Sequence, residues 1–171
     1  MKAEKHVTAP EVVPEPDWVP VDPLRIEGGR GSFVSGEPQG HRLRVRYFRR
    51  ESDGRLVGRA WFGSGAEGPP GHAHGGSMAA VLDEAMGAAA WMAGHKVVAA
   101  QLDTSFRRML PLGTDATLEA WVEKVDERKV WTRGWLVDGD GQPFAEARAL
   151  FLKIDPARFK ILLKKVSDRE G

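Results

Sequence analysis

The sequence predicts an α+β fold, an antiparallel β-sheet with one long helix lying across it. Three observations lead there. Residues 75–93 are rich in alanine and set Met78, Val81, Leu82, Ala85, Met86, Ala89 and Trp91 or Met92 at helical spacing. Six other segments have strand character and are separated by turn signals. The order is strand, strand, helix and then four strands, which suits antiparallel pairing with the helix packed on one face.

Residues 1–40 hold Pro10, Pro14, Pro16, Pro20, Pro23 and Pro38, six of the 11 prolines, together with the Gly28-Gly29-Arg30-Gly31 cluster. Proline removes ladder donors and glycine raises the entropy of ordering, so this stretch reads as arm or loop. Residues 41–48 alternate polar and apolar side chains, and residues 56–62 follow the Asp53-Gly54 turn signal, which predicts a β-hairpin. Four glycines and two prolines in residues 63–71 break the second strand and lead into Ala73-His74-Gly75-Gly76, where the long helix begins; Gly94 is its natural stop.

Strands are then expected at 97–107, 116–125, 129–137 and 143–154, with turns at 111–113, 126–128 and 138–141. Alternation is clearest in the last, where Ala145, Ala147, Ala149 and Phe151 share one face and Phe144, Glu146, Arg148, Leu150 and Leu152 the other. Residues 156–169 form an amphipathic helix with Phe159, Leu162, Leu163 and Val166 inward. The organisation is an N-terminal arm at 1–40, one domain at 41–155 and a helical tail at 156–171.

The 171 residues suffice for one domain with a sizeable core. Lys plus Arg total 25 against 24 Asp plus Glu, a net charge of +1 that gives no reason to expect a nucleic-acid partner. With no cysteine, disulfides, thiolate nucleophiles and Cys-ligated metals are excluded, and a reducing compartment fits. The most apolar run, 77–93, carries Asp83 and Glu84 near its middle, which argues against a membrane span, and residues 1–40 resemble neither a signal nor a transit peptide. A cytoplasmic protein is expected.

The chemistry concentrates in residues 69–84. A helix start leaves backbone N–H groups unpaired, and Gly75 and Gly76 let a ligand approach them without a Cβ in the way, an arrangement that stabilises an oxyanion. Asp83, nine residues after His74 on an otherwise apolar helix, is costly to bury without a partner or a task. The helical rise of about 1.5 Å per residue separates it from Gly75 by roughly 10–14 Å, so joint action on one substrate requires a second copy related by a two-fold axis. On the residues alone, His74 also reads as a loop histidine satisfying backbone groups, Asp83 and Glu84 as polar residues at the helix edge, solvated or paired with arginine, and His72, His74 and Asp83 as a metal triad.

The segment resembles the hotdog-fold acyl-CoA thioesterases, of the phenylacetate-pathway and thioesterase-superfamily-member type. The resemblance rests on Gly68-Pro69-Pro70-Gly71, His74-Gly75-Gly76 and the acid at 83, followed by Arg107-Arg108 with Leu110-Pro111, and covers about residues 55–155. It implies a sheet wrapped around a central helix, a homodimer or dimer of dimers (a homotetramer) with interface active sites, and hydrolysis of an acyl-CoA without a metal or cofactor. Asp83 is then the nucleophile or general base, the Gly75 amide, with Gly76, polarises the thioester carbonyl, and His74 fixes the turn beside it. Arg107, Arg108 and Ser77 are the candidates for binding substrate and its coenzyme A, with Trp61 and Trp91 lining an acyl tunnel. Two positions depart from the family pattern: Gly68 stands where many members carry Gln or Asn, and Ala99 about where many carry Ser or Thr. Those departures motivate an alternative, a non-catalytic module that binds acyl-CoA or an acyl carrier protein. A dehydratase in the same fold fits less well, because residues 75–93 contain no histidine.

Overall fold

The computed structural model describes residues 9, 11–24 and 31–168. Pro10, Arg169 and the Gly28-Gly29-Arg30 part of the glycine cluster lie outside them. The strands are β1 (Trp18–Pro20), β2 (Leu43–Arg50), β3 (Leu56–Phe62), β4 (Val97–Phe106), β5 (Asp115–Asp126), β6 (Lys129–Val137) and β7 (Pro143–Lys153). The helices are α1 (Gly75–Met92) and α2 (Pro156–Ser167). The expected α+β class is observed, and each strand and helix read from the pattern is present.

β1 is an addition. It lies in the stretch read as arm or loop and pairs antiparallel with β2, Trp18 opposite Arg50 and Pro20 opposite Phe48. An edge strand tolerates proline because one of its sides needs no donors, so the prolines limit β1 to three residues without abolishing it.

All seven strands form one antiparallel sheet in the order β1-β2-β3-β5-β6-β7-β4. α1 packs across β3, β4, β5, β6 and β7. Its Val81, Leu82, Ala85 and Met86 are fully buried with Leu56, Phe62, Leu118, Val130 and Leu136 of the sheet. Each large side chain so buried contributes about 1.5–3 kcal/mol, which makes this face the anchor of α1 and fixes where its remaining side chains, Asp83 among them, can point.

The two sheet edges differ. β1 is short, whereas β4 presents ten residues whose outer side has no strand partner among the described residues. β4 also exposes Val98, Leu102 and Phe106. A β-bulge between Ala99 and Gln101 changes the phase of this strand. Leu102, Thr104 and Phe106 lie opposite Ala149, Ala147 and Ala145, and Ala99 lies opposite Phe151. Opposed residues share a face, so all four side chains of β4 face α1, while Gln101, Asp103 and Ser105 face away.

β7 alternates as expected, with Ala145, Ala147, Ala149 and Phe151 buried; Phe144 is buried as well, beneath the Arg108 guanidinium 4.5 Å from its ring centroid. α2 touches the body through Phe159, whose ring meets Trp91 edge-on at 5.8 Å. Leu162, expected inward, is 52% exposed, because the helix leans on the body near Phe159. Among the described residues, no helix is long and apolar enough to cross a membrane.

Candidate active site

The site grows out of the start of α1. His74 is the N-cap, with extended backbone, and its ring Nδ1 accepts the Gly76 N–H at 2.8 Å. A neutral imidazole accepting at Nδ1 carries its proton on Nε2, so the ring keeps one donor for a ligand. The Ser77 and Met78 amides turn back to the His74 carbonyl at 2.9 and 3.4 Å. Of the first-turn donors, Gly75 N–H alone has no hydrogen-bond partner among the described residues. The expected pair of amides is therefore reduced to one, because the ring that fixes the turn occupies the other.

One glycine is required by close approach to backbone, and a second sits tightly against an exposed ring. A Cβ at Gly68 would fall 2.7 Å from the His74 Cα, so the cap residue itself fills the space a side chain would need there. A Cβ at Gly75 would meet the Phe106 ring at 3.2 Å. Phe106, 53% exposed, was not singled out from the sequence and stands beside the free amide. Ser77 donates its hydroxyl hydrogen to the His74 carbonyl at 2.7 Å, which ties its side chain to the helix cap.

Asp83 lies two turns further on. It lines a cavity of about 460 Å³ with Ala80, Glu84, Gly87 and Trp91 of α1, Val97 and Ala99 of β4, Phe151, and Leu24, Phe33 and Val34 of the N-terminal segment. Among the described residues its buried Oδ1 has no hydrogen-bond partner. Burial, and then the neighbouring Glu84 charge, push its carboxyl above the ordinary range. Among mostly apolar walls this is a carboxylate available for proton transfer or attack. Ala99 puts a methyl group in the same cavity. Trp91 lines the cavity as expected; Trp61 does not, being buried beneath Arg44.

Among the described residues Glu84 has no arginine partner. Its carboxylate accepts the Tyr47 hydroxyl at 2.9 Å, the Val34 N–H at 3.3 Å and the Ser32 hydroxyl. Burial and the Glu84 charge hold the Tyr47 phenol well above its ordinary range. These donors are 37 to 52 residues away in sequence, too far for local spacing to reveal them.

The arginines stand at the far end of β4. Arg108 is committed to Asp138 at 2.8 Å and to the Gln142 and Pro143 carbonyls at 2.6 and 3.2 Å. Among the described residues Arg107 pairs only with Glu146, at 3.0 Å, and it lines a polar depression on the sheet face away from α1 with Asp103, Arg133 and Arg148. Neither lines the Asp83 cavity. His72 directs Nδ1 to the Pro70 carbonyl at 2.9 Å and His74 to Gly76, so the two rings do not converge on Asp83 as a metal triad would.

A single helix wrapped by one antiparallel sheet, with a glycine pair at its start and an acid midway, defines a hotdog-fold protein. The family model of the thioesterase superfamily matches residues 70–145. A crystal structure of a thioesterase superfamily protein is 31% identical, covers 85% of this chain and 70% of that one, and superposes with a TM-score of 0.66. The chain belongs to the thioesterase superfamily. Acyl-coenzyme A thioesterase THEM5 of Mus musculus is 35% identical over 89 residues, covering 52% of this chain and 36% of that protein. Acyl-coenzyme A thioesterase THEM4 of Xenopus laevis is 37% identical over 91 residues, covering 53% and 41%. The chain thus spans well under two thirds of the length of these curated relatives.

Proposed function

We propose that the protein hydrolyses acyl-CoA thioesters to the free acid and coenzyme A. The observation that carries this reading is the buried Asp83 Oδ1, without a partner among the described residues, in a mostly apolar cavity on the helix whose first amide, Gly75 N–H, is unspent among those same residues. The relatives named acyl-coenzyme A thioesterases support it.

Gly75 and Asp83 are eight residues apart on one helix, about 12 Å along its axis. One thioester cannot touch both within a subunit. The open edge of β4 supplies the remedy: a second copy pairing there antiparallel extends the sheet and brings the start of its α1 toward this Asp83. The Gly75 N–H of one subunit polarises the thioester carbonyl, and Asp83 of the other either takes a proton from the attacking water or attacks the carbonyl carbon itself, water then opening the resulting anhydride. In both routes the C–S bond breaks, the electron pair leaves on sulfur, and the coenzyme A thiolate takes up a proton. The chemistry needs no cofactor beyond the coenzyme A of the substrate. Arg107, with a single partner, is the better placed arginine for its phosphates.

Ala99 favours a second reading, binding of acyl-CoA or an acyl carrier without turnover, since no hydroxyl orients water beside Asp83 at that position. One experiment separates the two: release of free coenzyme A from short, long and aromatic acyl-CoAs, read with a thiol reagent against the cysteine-free chain, with Asp83→Asn alongside. Hydrolysis by the wild type and a loss of at least about 10³-fold in the variant support the hydrolase. Tight thioester binding with no coenzyme A release supports the binding module.

A further inference from the structure

Glu84 is the unusual neighbour of Asp83. It sits on the same helix at the wall of the same cavity, yet its carboxylate is saturated by Tyr47 of β2 and by Ser32 and Val34 of the N-terminal segment. Val34 is 4% exposed, whereas Phe33, between the two tethered residues, is 81% exposed and lines the Asp83 cavity. A phenylalanine left open to water forfeits roughly 1.5–3 kcal/mol of burial. Fixing its chain neighbours on both sides to one carboxylate holds that ring in place at the cavity mouth.

We propose that residues Ser32–Val34, held by Glu84, form the outer wall of the acyl site and that Phe33 sets the acyl chains it accepts. Glu84 is a positioning residue in this arrangement, acting through the segment it tethers. The proposal rests on the acyl-thioester reading of the cavity. The ligand argument is geometric: the walls are otherwise apolar, Asp83 marks where the thioester carbon must lie, and the acyl chain attached to that carbon extends along Gly87 and Trp91 beneath the Phe33 ring. The aromatic edge then limits the length or bulk of a linear acyl group, and covering it with that group recovers the burial that the free protein lacks.

The test compares wild type, Phe33→Ala, Glu84→Ala and the double variant on saturated acyl-CoAs of increasing length, reading kcat/KM for each. In parallel, calorimetry measures binding of non-hydrolysable thioether analogues of the same series. The expected result is a rise of at least about tenfold in the long-to-short ratio for Phe33→Ala, the scale at which hydrophobic pockets discriminate chain length. Glu84→Ala shifts the ratio in the same direction, and the double variant shifts it no further than the larger single change. An unchanged ratio in Phe33→Ala, with turnover intact or falling evenly across the series, overturns the proposal and leaves the hydrolase standing. Absence of turnover with a thioether binding ratio that still shifts in Phe33→Ala overturns the hydrolase and keeps the acyl wall. Phe33 is exposed, so its variant carries the test even if Glu84→Ala fails to fold.

Discussion

In the proposed reaction the chemistry falls on Asp83, a side chain whose surroundings work against its charge. Its raised pKa means that the fold favours the protonated form, so this carboxyl adds stability at low pH and loses that contribution as pH rises through its folded pKa. Asp83→Asn therefore raises Tm by a few degrees at neutral pH, a gain that disappears in acid, while turnover is lost. The proposed mechanism needs the ionised form, so it predicts an acid limb of the kcat/KM profile raised above the ordinary carboxylate value of about 3.9. Glu84→Gln removes the second cause of the shift and moves that limb to lower pH; a limb that stays in place rules out Glu84 as a source of the perturbation. The acid at 83 was legible because an ionisable residue interrupts an apolar helix. The partners of Glu84 were not, since Ser32, Val34 and Tyr47 reach it only through the tertiary fold. Nor could spacing show that the His74 ring occupies the Gly76 amide.

The elements decide what these residues can meet. α1 was legible from its alanine-rich period, and β7 from its alternation. The bulge of β4 was not: strict alternation counted back from Arg107 would turn Ala99 to the outer face with Asp103 and Ser105, and the extra residue returns it to the Asp83 cavity. The short β1 was hidden by its prolines. β4 itself carries a prediction. Leu102 faces α1 but is 38% exposed, because the described residues provide nothing beyond that edge to cover it. An inward charge on an edge strand opposes pairing, so Leu102→Lys lowers the dimer fraction at micromolar concentration, seen by light scattering, and lowers kcat/KM at least about tenfold. A Leu102→Lys protein that stays dimeric and active places the subunit contact elsewhere.

For the whole molecule, the central claim is that one subunit lacks a complete site. The fold class followed from the sequence, and the proposal of a second copy rests on helical rise and the separation of Gly75 from Asp83. What the fold adds is the long open β4 edge, with Phe106 beside the free amide at one end and Ala99 beside Asp83 at the other. Two antiparallel copies of that edge bring unlike ends together, which is what a shared site requires.

Complementation tests this directly. Gly75 occupies the first helical position, where proline is tolerated, and His74 already has the extended backbone that precedes proline. Gly75→Pro thus removes the free N–H while keeping the helix, provided the exposed Phe106 ring yields, and lowers kcat by about 10²–10³. Asp83→Asn disables the other half. The measurement is coenzyme A release by the two variants, separately and after subunit exchange verified by mass spectrometry. Random exchange makes half of the dimers mixed, and each mixed dimer holds one intact site, so the account predicts recovery to about a quarter of wild-type activity. A fully exchanged mixture no more active than its separate components would contradict it.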